Sequence, residues 1–236
     1  MSYLVTVVTM CHNNGRYLQE CIDSVHSQTY KDIQYIVVDA ASSDNTREVM
    51  KANQHKIDVA VYFAKDLGLC TSRNAGYMSA QGRYGLTLDA DDKLIPDAIA
   101  KMVNMMDDKT IICPGIHEFS EITGPALNTV PALGWDTSHT AFLTQNRIFC
   151  ASMFPMAAFK KIEMYDPELD FLGFEDWDLW IRMTGEGECR VKMLGEVVYL
   201  HRGSSSTGHA GSSTTKTILR AEERKAYFKK KHGIDL

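Results

Sequence analysis

The four residues Tyr35-Ile36-Val37-Val38 form an unbroken apolar run that stops at Asp39. A strand with one wet face alternates apolar and polar side chains, so a run without alternation has to be covered on both sides. That requirement selects a layered α/β chain, and the neighbouring segments agree with it. Leu4 to Thr9 reads as another buried strand, after which Leu18, Cys21, Ile22 and Val25 fall on one face of a helix. A polar helix is expected from about Asp44 to Gln54, a strand near Val59 to Phe63, a helix over Thr71 to Ala80 and a strand over Tyr84 to Leu88. Pro96 suits the first turn of the next helix, which would place Ile99, Met102, Val103 and Met106 on one face. Units of this length imply a Rossmann-like α/β fold, with a mostly parallel central sheet, right-handed crossovers and flanking helices.

The second half reads as a smaller, less regular region built over the sheet, because Pro114, Gly115, Gly124, Pro125, Pro131 and Gly134 cut it into short pieces. The expected organisation is a single domain in three stretches: 1–110, 111–202, and a flexible loop with a basic C-terminal helix over 203–236. Gly203 to Thr217 is rich in Gly, Ser and Thr, a composition suited to a lid that closes over a bound ligand. Between Lys216 and His232 seven lysines and arginines face two acids, although the formal net charge of the whole chain is −5. Such a segment is either a solvated helix face or a contact for an anionic membrane or another polyanion.

Six scattered cysteines show neither metal-site nor disulfide spacing, and no apolar run reaches the ~18 residues of a membrane span. The expectation is a reducing cytoplasmic setting, with the basic tail offering a peripheral membrane contact. The strand at Tyr84 ends in Asp89-Ala90-Asp91-Asp92. Three carboxylates in one turn repel one another and call for a cation, which suggests a divalent metal carrying a phosphorylated ligand. In an open parallel sheet, ligands bind beyond the carboxyl ends of the strands, so Asp39 and Asp89 are expected to line one crevice. The turn after the first strand, Met10-Cys11-His12-Asn13-Asn14-Gly15, lacks the G-x-G-x-x-G of a dinucleotide site, and no G-x-x-x-x-G-K occurs.

Five segments together resemble one family. They are Val5-Thr6-Val7-Val8-Thr9 leading to Asn13, the stretch from Ser24 to Thr46, Ser72-Arg73-Asn74-Ala75-Gly76, the Asp89 to Asp92 cluster, and Glu175-Asp176-Trp177-Asp178-Leu179. In order and spacing the chain resembles the inverting nucleotide-sugar glycosyltransferases of the GT-A fold, family 2, over residues 1 to about 205. The resemblance implies a nucleoside-diphosphate-sugar donor, UDP- or dTDP-linked, and Mn²⁺ or Mg²⁺ held by Asp91 and Asp89, with His201 as a further ligand. It assigns the nucleotide sugar to Thr9, Cys11, Asn13, Asp39, Arg73, Asp89, Ala90 and Glu175, with Asp39 reading the base. It makes Asp176 the base that deprotonates the acceptor hydroxyl. The acceptor stays open among a glycan, a lipid-linked glycan, a protein and a modified nucleic-acid base.

The chain departs from the family pattern at Met10, where proline is usual, and at Asp39-Ala40-Ala41-Ser42, where the pattern has a second acid and a glycine. Ala41 therefore has to occupy a glycine position. Ordinary structural roles compete throughout: a helix-start pair at Glu175-Asp176, a surface ion pair at Arg73, a strand-end histidine at His201. A noncatalytic nucleotide-sugar-binding protein and a nucleotidylyltransferase are the alternative functions, the latter weakened by the missing Gly-rich, Arg-containing loop after the first strand.

Overall fold

In the computed structural model, residues 4–119, 128–129, 136–203 and 220–236 are described. The Gly/Ser/Thr-rich candidate lid lies, apart from Gly203, outside the described residues. Four strands, β1 (Val5–Cys11), β2 (Ile33–Asp39), β3 (Val59–Tyr62) and β4 (Tyr84–Thr87), run parallel in the order β3-β2-β1-β4. The sheet continues with β8 (Met153–Pro155), β6 (Thr110–Phe119), β9 (Arg190–Arg202) and β5 (Lys93–Leu94), while β7 (Asn128–Thr129) pairs with β6. The β8 strand enters antiparallel beside β4, and β6 and β9 pair parallel over their length. Most paired positions are parallel, as the sequence pattern predicts.

Alternation along the central strands divides the core in two. Val8, Ile36 and Val38 face a layer with Tyr77, Phe154, Phe159 and Trp180, whereas Val7, Tyr35 and Val37 face a layer with Leu18, Ile22 and Met102. Successive strand residues point to opposite faces, so an all-apolar strand feeds both layers. The helices are α1 (Gly15–His26), α2 (Thr46–Ala52), α3 (Leu69–Met78), α4 (Ala98–Val103), α5 (His139–Phe142), α6 (Met156–Lys161), α7 (Glu175–Thr184) and α8 (Ala221–His232). The α1 face expected from Leu18, Cys21, Ile22 and Val25 is buried.

Three local readings need correction. The polar helix begins at Thr46 because the Asp44 side chain accepts from Thr46 N at 3.0 Å, closing a turn ahead of the helix, and a 3-10 turn over Gln54–Lys56 follows it. The helix after Pro96 starts at Ala98 and ends at Val103, so Met106 is in a turn; the Pro96 carbonyl instead accepts from Thr29 N at 2.7 Å. Pro114 and Gly115 do not break the chain but sit inside β6, at a register shift against β9. A bulge tolerates proline's missing N–H, and a Cβ on Gly115 would stand 2.4 Å from the Glu196 carbonyl oxygen, so the close approach requires glycine.

The basic C-terminal helix is docked. Tyr227 and Phe228 are buried, Phe228 stacks against Trp177 at 5.1 Å between ring centroids, and Lys231 pairs with Asp166. Lys225, Lys229 and Lys230 form its exposed side.

Candidate active site at the carboxyl ends of the strands

Beyond the ends of β1 and β4 lies a cleft of about 310 Å³, whose walls include Arg73, Asp89, Ala90, Asp91, Glu175 and Asp176. Six residues assigned from sequence are thus brought together from three separate elements: α3, the loop after β4, and the start of α7. Sequence reasoning missed four others that line it, Met10, Asn14, Leu69 and Cys150. Met10 lies near the end of β1 and Asn14 in the turn after it, both open to inference from topology; Cys150 carries no local signal.

Arg73 spans the cleft wall. Its Nη2 donates to Asp89 Oδ1 and its Nη1 to Glu175 Oε1, both at 2.8 Å, and it is 2 % exposed. The guanidinium therefore joins two of the predicted segments directly, and its Nε is buried without a partner among the described residues. A distant carboxylate sets the helix that carries it: Asp170 accepts from Thr71 N at 3.1 Å and from the Thr71 hydroxyl at the first turn of α3.

The three acids after β4 have different surroundings. Asp92 is fully buried and satisfied, its Oδ2 accepting from Tyr199 OH at 2.6 Å and meeting His201 Nδ1 at 3.1 Å, and its Oδ1 accepting from Arg202 N at 2.6 Å. This is an anchor that ties the acid turn to the end of β9. Asp89 holds Arg73 and meets the Cys150 thiol at 3.6 Å. Asp91 makes no salt bridge among the described residues, and burial, together with Asp92 and Asp89, pushes its carboxyl up to about 6. His201 is held by Asp92, whose hydrogen bond raises the imidazole to about 9.

The α7 helix opens on Glu175 and Asp176, as the sequence predicts, with Leu179, Trp180 and Met183 fully buried behind Asp176. Asp176 Oδ1 accepts from Trp177 N at 2.8 Å and Oδ2 from Asn146 Nδ2 at 3.0 Å. Burial, then the neighbouring charge of Glu175, pushes this carboxyl up to about 7. An acid near neutrality can take up a proton in its ionised form and release it again.

The remaining predicted residues lie outside the lining of this cleft. Thr9 is buried, its hydroxyl accepting from Tyr35 OH at 3.2 Å, and the buried Cys11 thiol donates to the Val38 carbonyl at 3.2 Å. Asn13, at φ 59°, accepts from Ser43 N at 2.8 Å and so ties the turn after β1 to the turn after β2. Asp39 is fully buried, accepting from Ser42 N at 3.0 Å and from Arg47 Nε at 2.5 Å. Ala41 has φ 60°, the left-handed backbone of the glycine it replaces.

Among the described residues no group of three or more His, Cys, Asp or Glu side chains forms a ready metal cage. The donor set instead fits a cation that arrives with its ligand, since Mg²⁺ and similar ions take one or two carboxylates and complete their shell with phosphate oxygens and water. Asp91, half-buried and without a salt bridge among the described residues, is the side chain most suited to this.

These features are those of an open α/β sheet with an acidic, arginine-bridged site at its carboxyl edge. Residues 6–163 match the model of glycosyl transferase family 2, and the chain belongs to that family. It is 30% identical over 194 residues to an uncharacterized glycosyltransferase of Rickettsia typhi, a match that covers 77% of this chain and 58% of that protein. It is also 30% identical over 129 residues to glycosyltransferase GlyG of Streptococcus pneumoniae, covering 52% of this chain and 42% of that one. The match therefore spans only about half the length of these two relatives. The crystal structure of S. aureus TarS 1-349 in complex with UDP superposes with a TM-score of 0.66 at 16% identity, covering 95% of this chain and 72% of that one. The likeness establishes the GT-A fold. Among the described residues no helix is long and apolar enough to cross a membrane.

Proposed function

We propose that this chain transfers a sugar from a nucleoside-diphosphate sugar, UDP- or dTDP-linked, to an acceptor hydroxyl with inversion at the anomeric carbon. The observation that carries the reading is that one cleft holds two carboxylates, Asp91 and Asp176, raised to about 6 and about 7 by burial and neighbouring acids. Two perturbed carboxylates in one cleft, neither in a salt bridge among the described residues, mark a candidate functional site.

In this reading Asp176 accepts the proton of the acceptor hydroxyl as its oxygen bonds to the anomeric carbon, while the bond to the diphosphate breaks on the opposite face and the electron pair leaves with the phosphate. Attack from the face opposite the leaving group gives inversion. A divalent cation, Mn²⁺ or Mg²⁺, when bound neutralises charge on the departing diphosphate. Asp91 and Asp89 would hold it. In this reading His201 would take a supporting part: Asp92 engages Nδ1 and fixes the ring, so Nε2 would be the nitrogen offered to a cation. Because that imidazole is raised to about 9, binding a cation there would release a proton. Arg73 orients Asp89 and Glu175 and supplies positive charge beside the phosphate.

The test is thermal stabilisation of the chain by UDP-, dTDP-, GDP- and CMP-sugars with and without Mn²⁺. A rise in Tm with a UDP- or dTDP-sugar that depends on Mn²⁺ and is lost in Asp91→Asn supports the reading; no response to any activated sugar overturns it. Release of a nucleoside diphosphate, rather than inorganic diphosphate, separates sugar transfer from nucleotidylyl transfer. The chain's acceptor is proposed only as a hydroxyl-bearing molecule.

A further inference from the structure

The side chain nearest the reactive end of Asp176 comes from a segment without any sequence motif. From α5 to the loop before β8 the chain runs alongside α7 and is fastened to it three times: His139 Nδ1 meets Thr184 Oγ1 at 3.0 Å, Trp177 Nε1 donates to the Phe142 carbonyl at 2.6 Å, and Asn146 Nδ2 donates to Asp176 Oδ2 at 3.0 Å. The same segment ends at Cys150, whose thiol meets Asp89 across the cleft. It is a strap from the base to the acid turn. The amide's orientation matches an ionised carboxylate, which can only accept, because Asn146 Oδ1 itself accepts from Ile148 N at 3.4 Å.

We propose that Asn146 is a positioning residue for Asp176, holding Oδ2 in place and favouring the ionised, proton-accepting form of the carboxyl. The inference rests on the reading of Asp176 as the base. The charged groups that face Asp176 pull in opposite directions: Glu175, its neighbour on α7, favours protonation, and Arg73 from α3 opposes it, while the Cys150 thiol is itself held neutral by burial and the nearby acids. Two hydrogen bonds to the carboxylate, from Trp177 N and Asn146, add to the Arg73 side of that balance. An uncharged donor suits a base better than a cation does. A lysine or arginine at this point would make the carboxylate too weak a base to accept a proton near neutral pH, as the ion pairs of Asp178 do two residues along the same helix. An amide orients and ionises without quenching.

The experiment is carbon-13 NMR of the full chain labelled at the aspartate side-chain carboxyl, with the Asp176 signal identified by its loss in Asp176→Asn. In the wild type the side-chain NH₂ signals of Asn146 should shift with pH at the same midpoint as the Asp176 carboxyl. In Asn146→Ala that carboxyl midpoint should rise by about one pH unit, since a hydrogen bond to a charged group is lost. Asn146→Asp, similar in shape and donor-free when ionised, should raise it further. Asn146 signals that ignore pH, or a carboxyl midpoint unmoved in both variants, overturn the inference. The titration requires no substrate, so it is independent of whether Asp176 serves as the base; the turnover of Asp176→Asn decides that separately.

Discussion

Asp176 and Asp178 stand two residues apart on α7 and face opposite sides of it. On the cleft side, Asp176 has an amide and a backbone N–H as donors and is pushed up to about 7. On the far side, Asp178 is fully buried among Arg182 at 2.6 Å, His232 at 2.8 Å, Lys231 at 3.3 Å and the Tyr227 hydroxyl at 2.8 Å, partners that hold it well below the ordinary carboxylate range against burial. One helix thus carries one carboxylate raised toward neutrality and another held ionised. Burial alone predicts neither outcome; what decides is whether a cation shares the buried volume. The far side is also where α8 docks, so the C-terminal helix braces the element that presents Glu175 and Asp176.

The largest expected effect breaks the cleft side alone. Asp176→Asn should lower turnover by a factor on the order of 10² to 10⁴ while leaving donor binding intact, measured as nucleoside diphosphate release. Its stability should move the other way. A carboxyl whose folded value is raised stabilises the fold fully only below its unfolded value near 4, and the contribution is lost as pH rises through about 7. At pH 8 the asparagine variant should therefore melt above the wild type. For the wild type the acidic limb of kcat/KM should lie near pH 7, with roughly a tenfold fall per unit below it.

The second effect breaks the far side. Asp178→Asn strands the buried Arg182 without its carboxylate, and the cost should be about 3–5 kcal/mol in a urea titration at pH 7. Here the folded value is lowered, so the stabilisation is present above the unfolded value and disappears as pH falls through the folded one. The difference between variant and wild type should accordingly shrink in acid. Equal losses at pH 3 and pH 7 would sink the comparison with Asp176.

The contrast also marks what sequence alone made legible. The β1 to β4 units could be read because each apolar run and helix face is local, and the acids closing those strands follow from topology. The helix opening at Glu175 was visible from the spacing of Asp176, Leu179, Trp180 and Met183. The partners that give the acids their character were not visible. Arg182 is an i+4 neighbour of Asp178 and within reach of inspection, but His232 lies 54 residues away and Asn146 lies 30 residues before Asp176. Such pairs depend on tertiary docking, which no periodicity encodes. Pro114-Gly115 misled for a related reason: a bulge is defined by the partner strand, and the local dipeptide signals only a break.

The smallest expected effect sharpens the comparison most. The Tyr227 hydroxyl lies 2.8 Å from Asp178 Oδ1 and 2.9 Å from Asp166 Oδ2, yet it has one proton to give. Both acceptors keep cations when it is removed, Asp178 its Arg182 and Asp166 its Lys231. Tyr227→Phe retains the buried ring and should cost about 1 kcal/mol of stability, the net value of a single hydrogen bond. The acidic limb of kcat/KM should not move, because Tyr227, on α8, meets α7 at Asp178, on the face turned away from the cleft. A limb displaced in Tyr227→Phe would mean that the two faces are electrostatically coupled through the helix, and that α8 tunes Asp176 as well as bracing it.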